Sequence, residues 1–126
     1  MPPPIQRPRP RILIGGGGER RTLRLVARYA DACNLQPRSP DFVRHKLDVL
    51  AEHCRAERRD PATIQKTILW EGDPTGDPDG FLAEMETYAR LGIDLVQVMP
   101  LGPSPVAFVK ELGAKVIPHL SGIGTS

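Results

Sequence analysis

The feature that most constrains the fold is a short apolar run followed directly by four glycines. Ile12, Leu13 and Ile14 precede the segment 15–18, which is glycine throughout. A continuous branched apolar run is typical of a strand buried on both faces. A helical pattern follows, and a strand, a glycine loop and a helix N-terminus in this order suit a phosphate group. The pattern therefore predicts a strand that ends in a phosphate-binding loop or in a plain turn between strand and helix.

The spacing of the glycines differs from the two common nucleotide motifs. The Walker motif needs Lys and then Ser or Thr after its last glycine, where this chain has Glu19 and Arg20. The dinucleotide fingerprint needs a third glycine at the position of Arg20. Phosphate binding by the loop and a structural turn both stay open at this point.

Composition narrows the class of protein. The chain has 126 residues, a net charge of +2 and 5% aromatic residues, which argues against a nucleic-acid-binding surface. No apolar run approaches the ~20 residues that a bilayer-spanning helix needs. Cys33 and Cys54 have neither metal-site nor redox-motif spacing, so we expect free thiols in the core and no metal. These features predict a cytoplasmic protein with no membrane or nucleic-acid partner.

A strand and a helix alternate four times along the chain. Ser39-Pro40 and Ser104-Pro105 each combine a capping serine with proline at the first helical position. Gly92 ends the third helix, and the last helix is expected to break near Gly113 and to resume before Pro118. Strands are predicted at 12–14, 32–35, 63–70 and 93–99, the longest loop at 71–80 and a turn at 100–103.

Two histidines lie on the helix that begins after Ser39. His45 and His53 are eight residues apart, with no acidic or cysteine partner at ligand spacing. We therefore expect both on the surface of the helix.

Repeated strand–helix units imply a parallel sheet with right-handed crossovers. Four units in this length match half of a (β/α)₈ barrel, whose whole takes ~250 residues. An open four-stranded α/β sheet is the alternative. The domain is predicted at 11–120, between an extended Pro- and Arg-rich arm at 1–10 and a polar tail at 121–126. Either fold places ligands at the carboxyl ends of the strands.

Positions 8–32, PRPRILIGGGGERRTLRLVARYADA, resemble a segment of the bacterial luciferase-like oxidoreductases. The branch that uses the deazaflavin coenzyme F420 is the most similar, and the likeness continues through LGIDLV at 91–96 to Leu120. The resemblance implies a TIM barrel that uses F420 or FMN for hydride transfer or monooxygenation. It covers the C-terminal half of such a barrel, so we expect the chain alone to lack a complete active site.

The resemblance also implies the site residues. Gly16, Gly17 and Gly18 would offer backbone N–H groups to the coenzyme phosphate, with Arg20 as a further candidate from the same loop. Cys33 stands where the family commonly has Trp, and no catalytic residue is assigned.

Three hypotheses follow, of which the first two belong to different classes. The first is the C-terminal portion of an F420- or FMN-dependent oxidoreductase, which binds the coenzyme and a small-molecule substrate. The alternative is a non-catalytic half-barrel that pairs with itself or with an N-terminal half through open strand edges. A remnant without a stable fold is the third.

Overall fold

The computed structural model describes residues 10–72, 74–99 and 103–120. Within these residues the chain forms one sheet of four strands in the order β1-β2-β3-β4, and every neighbouring pair is parallel. The predicted parallel α/β sheet is therefore confirmed. The strands are β1 (Leu13–Gly15), β2 (Ala32–Leu35), β3 (Gln65–Trp70) and β4 (Leu95–Val98).

A helix follows each strand. The helices are α1 (Thr22–Tyr29), α2 (Pro40–Ala56), α3 (Pro78–Leu91), α4 (Pro105–Lys115) and the short α5 (Ile117–Leu120), with a 3₁₀ turn at Pro61–Thr63 before β3. The described part of the chain contains no helix that is both long and apolar enough to cross a membrane.

The helix boundaries follow the local signals. The side chains of Ser39 and Ser104 accept hydrogen bonds from the N–H groups of Phe42 and Ala107, so both predicted starts are confirmed. Gly92 takes the left-handed conformation, with φ of 102°, and ends α3 as predicted.

The ends of β1, β3 and β4 differ from the predicted ones by one or two residues, and two further boundaries differ more. Part of the loop at 71–80 is helical, because Asp77 caps α3 and Pro78 begins it. The break predicted near Gly113 lies three residues later: α4 continues to Lys115, a turn follows at Val116, and the chain is helical again from Ile117, before Pro118 as expected. A glycine inside a helix costs only about 1 kcal/mol, which the surrounding hydrogen bonds offset.

Some predictions lie outside the described residues. Residues 1–9, 100–102 and 121–126 are not described. They include nearly all of the predicted arm, most of the predicted turn at 100–103 and the whole predicted tail, so the outer domain boundaries stay predictions.

The described helices pack on one face of the sheet. Cys33 and Ile68 point to this face and are fully buried among side chains of the helices. On the other face the register places Leu13 beside Ala32, and half of the Leu13 side chain is exposed. Within the described residues the helices therefore cover one face of the sheet, and no helix covers the other face, which we call the inner face.

Both cysteines lie in the core. Cys33 and Cys54 are buried and form no disulfide, which confirms the predicted free thiols. Burial raises the pKa of both thiols.

Candidate anion-binding site

A cavity of about 610 Å³ lies where β1 and β2 end, between the glycine loop and α2. Two of its lining side chains are cationic and none is a carboxylate, so the cavity suits an anionic group. The lining residues are Gly16, Gly17, Asn34, Leu35, Gln36, Arg38, Phe42 and Lys46.

Lys46 ties α2 to the glycine loop. Its ammonium donates to the carbonyl oxygen of Gly17 at 2.8 Å and to the Glu19 carboxylate at 2.9 Å. It also lies 5.1 Å from the centre of the Phe42 ring, and only 13% of the side chain is exposed. The charge is therefore held in place at the wall of the cavity.

Arg38 reaches the same aromatic ring. Its guanidinium carbon lies 5.4 Å from the centre of the Phe42 ring. Among the described residues no carboxylate pairs with Arg38. Two cations near one ring, only one of them with a carboxylate partner, leave a positive potential that a bound anion would compensate.

Glu19 balances the charge of Lys46 from outside the cavity. Its carboxylate also lies 3.2 Å from Nε2 of His45. The hydrogen bond from Lys46 lowers the pKa of Glu19, and the bond from His45 acts in the same direction. The carboxylate is therefore ionised at neutral pH.

The two histidines of α2 differ in exposure. His45 is exposed, as expected, whereas His53 is half-buried. Nε2 of His53 lies 2.6 Å from the main-chain oxygen of Glu19 and donates to it, because a carbonyl oxygen can only accept. This hydrogen bond from His53 therefore joins α2 to the loop at Glu19.

Only part of the glycine loop lines the cavity, and some of its main-chain groups are already hydrogen-bonded within the fold. Gly16 has φ of 110°, a conformation that side chains rarely adopt, and its N–H donates to the carbonyl oxygen of Asn34 at 3.0 Å. Because that N–H is already hydrogen-bonded to Asn34, it does not donate to a ligand as expected. Gly16 serves the loop through its positive φ. The oxygen of Gly18 accepts from the N–H of Leu23 at 2.9 Å.

The structure brings some of the expected loop residues to the cavity. Gly16 and Gly17 line it, whereas Gly18 and Arg20 are not among its lining residues. Arg20 is exposed in a turn at 19–21 that separates the glycines from α1. The helix therefore does not begin directly after the loop.

Asn34 is held from the neighbouring strand. The hydroxyl of Thr67 is within hydrogen-bond distance of the Cys33 carbonyl, at 2.8 Å, and of Oδ1 of Asn34, at 2.9 Å. Thr67 is 2% exposed, so this polar group is buried and partnered. The contact fixes the amide of Asn34 where it lines the cavity.

Sequence reasoning missed the two cations of the cavity. Arg38 had a usable signal, since it lies three residues after the end of β2 and parallel sheets bind ligands at that edge. Lys46 had none, because it lies in the interior of α2 and meets Gly17 across 29 residues of chain.

No protein-family model matches the sequence, and no match was found among curated proteins. The fold is similar to the solved structure of a coenzyme F420-dependent tetrahydromethanopterin reductase from Methanopyrus kandleri. The TM-score is 0.68 and the identity 13%, over 86% of this chain and 50% of that one. The chain thus spans about half the length of that protein. The likeness confirms the predicted fold class: the chain folds as one half of a (β/α)₈ barrel.

Proposed function

We propose that this chain carries the phosphate-binding end of the coenzyme site in a luciferase-like, F420-dependent oxidoreductase or monooxygenase of the cytoplasm. FMN is the alternative coenzyme. The observation that carries the proposal is a cavity with Arg38, Lys46 and glycine backbone, and no carboxylate, at the carboxyl ends of β1 and β2. Barrels of this kind place their ligands at that edge, often with a phosphate site. The similar solved structure is that of a coenzyme F420-dependent reductase.

The donor set fits a phosphate group. Arg38 offers a planar guanidinium that can pair with two phosphate oxygens, and Lys46 offers a point charge. Gly17 lines the cavity with no side chain between its main chain and the ligand, and Gly18, which follows outside the lining, would add an N–H group from the same loop. The bound coenzyme would supply the hydride chemistry, while these residues bind and orient it. Arg20, exposed on the same loop, adds positive charge at longer range.

The chain spans half the length of the similar reductase, so other residues would complete the site. We expect this chain to bind the phosphate end of the coenzyme without turning over a substrate.

The test is a fluorescence titration of F420, and separately of FMN, into the wild-type chain and the Arg38→Gln variant. We expect Arg38→Gln to weaken binding by about tenfold or more, because a hydrogen bond to a charged group contributes ~1.5–3 kcal/mol. Inorganic phosphate should compete with the coenzyme.

Arg44→Gln is the matched control, because Arg44 lies on α2 outside the cavity and pairs with Asp41 at 3.1 Å. Equal affinities for Arg38→Gln and Arg44→Gln would contradict the proposal. Gly17→Val gives a second test, since a Cβ at Gly17 would lie 3.5 Å from Cε of Lys46 and further branches would displace that side chain. A folded Gly17→Val chain with unchanged affinity would also contradict it.

A further inference from the structure

Among the described residues, the large exposed apolar side chains lie at the two ends of the half-barrel. Within the described residues, every large hydrophobic side chain that is strongly exposed belongs to the first strand–helix unit or the last one. The two middle units, from β2 to α3, have none. Single apolar residues on a surface are ordinary, but their concentration at particular places marks an interaction site.

The first group lies at the β1 end. Ile12 and Leu13 are 46% and 51% exposed beside the open edge of the sheet. Leu25 and Tyr29, one turn apart on α1, are 43% and 56% exposed. This end therefore presents both a strand edge and projecting helical side chains.

The second group lies at the β4 end. Leu95 and Met99 are 48% and 60% exposed in and after the last strand. Val109 on α4 and Ile117 on α5 are 55% and 51% exposed. An apolar cavity of about 400 Å³ lies between α3, β4 and the last two helices, and it includes Ile117. This end therefore presents a strand edge and a recess.

We infer that two copies of this chain close into one eight-stranded barrel, in which the β1 end of each copy packs against the β4 end of the other. In the described sheet β1 pairs only with β2, and β4 only with β3, so one edge of each outer strand has no partner strand. All four strands are parallel. A two-fold axis along the barrel therefore adds β1 of one copy to β4 of the other as a further parallel pair.

Strand number and side-chain placement favour a second copy as the occupant. Eight strands give a barrel whose interior side chains can fill, and four from each copy give that number. Leu13 and Leu95 both lie on the inner face of the sheet and would be buried inside such a barrel. Symmetric pairing of identical chains is also the commonest form of oligomer. The inference does not depend on the coenzyme proposal.

The test measures the mass of the purified chain in solution by light scattering and sedimentation over a range of protein concentrations. We expect twice the mass of one chain for the wild type. Leu25→Glu at the β1 end and Val109→Glu at the β4 end should each give the mass of a single folded chain. Ala62→Glu is the matched control, since Ala62 is exposed in the 3₁₀ turn of the middle region and should leave the pair intact.

Mixing the two end variants distinguishes closure from other forms of pairing. A mixed pair of Leu25→Glu and Val109→Glu chains keeps one unaltered junction, so the mixture should recover part of the double mass. Circular dichroism establishes that each variant is folded, and the milder Tyr29→Ser and Ile117→Ser replace any variant that is not.

Four results would overturn the inference. They are a folded wild-type chain of single mass, dissociation by only one of the two end variants, dissociation of the Ala62→Glu control, and open-ended assemblies larger than two copies.

Discussion

At the scale of single residues, the candidate site depends on how Lys46 divides its hydrogen bonds between the loop and a bound anion. An ammonium group has three donors, and those of Lys46 toward Gly17 and Glu19 are already in use. A bound phosphate would use the third donor or displace Glu19. Glu19 therefore stabilises the loop and, on the proposed function, would compete with a bound anion for the same charge.

This competition predicts opposite effects of Glu19→Gln on stability and on phosphate binding. The hydrogen bond from Lys46 lowers the pKa of Glu19 in the folded chain, so its charged form stabilises the fold at neutral pH. That contribution is lost as the pH falls through the lowered pKa. We expect Glu19→Gln to unfold at lower urea concentration than the wild type at pH 7, with the difference vanishing in acid, and to bind inorganic phosphate more tightly.

Urea midpoints at a series of pH values test the first effect, and phosphate titrations test the second. Glu84→Gln is the control, because Glu84 is exposed on α3 and has no ion pair within the described residues. A difference between Glu19→Gln and the wild type that persists at the lowest pH would contradict the role given to the carboxylate.

At the scale of elements, local sequence signals were sufficient to predict the helix starts that are set by capping residues and proline. The limits predicted for β2, 32–35, are the observed ones, and the serine–proline pairs began helices as expected. Asp77-Pro78 is the same kind of signal, but the surrounding glycines and aspartates hid it within a predicted loop. The break expected near Gly113 occurs at Val116, so the sequence indicated the interruption but placed it three residues early.

The candidate site was less predictable than the elements. The glycine loop is contiguous, so its position after β1 could be recognised from the sequence. The approach of Lys46 to Gly17 depends on how α2 packs against the loop, which no local pattern encodes. Phe42, whose ring lies near both cations, likewise could not be distinguished in the sequence from an ordinary apolar residue of a helix.

The start of α2 gives a prediction at this scale. Oγ of Ser39 accepts from the N–H of Phe42 at 3.0 Å, and Pro40 occupies the first helical position. Ser39→Ala removes the cap, which typically costs about 1 kcal/mol. Because α2 carries Phe42 and Lys46, we expect a lower free energy of unfolding together with weaker phosphate binding.

Denaturant unfolding and phosphate titration measure the two effects of Ser39→Ala. Thr87→Ala is the control, since the Thr87 hydroxyl bonds to the carbonyl oxygen of Ala83 within α3 and its loss should be neutral or slightly stabilising. Equal unfolding curves for Ser39→Ala and wild type would contradict the importance of the cap.

At the scale of the whole molecule, the sheet has two kinds of strand. β2 and β3 each have a hydrogen-bonded neighbour on both sides, whereas β1 and β4 have one each within the described sheet. Burial on the inner face differs in the same way: Ala32 and Thr67 in the middle strands are 7% and 2% exposed, whereas Leu13 and Leu95 in the outer strands are 51% and 48% exposed. Edge strands with exposed apolar residues favour pairing with another chain.

This difference makes hydrogen exchange a direct measure of closure. In a dissociated Val109→Glu chain we expect the amides of β2 and β3 to exchange slowly and the outward amides of β1 and β4 quickly, because the latter bond only to water. In a closed pair of wild-type chains the outward amides gain strand partners. The exchange of β1 and β4 should therefore slow relative to that of β2 and β3, as measured by mass spectrometry or NMR. The contrary outcome is that the exchange of β1 and β4, relative to that of β2 and β3, is the same in the dissociated variant as in the wild-type pair. That result would mean that strand pairing does not form the junctions. The apolar ends would then have to associate through their helices.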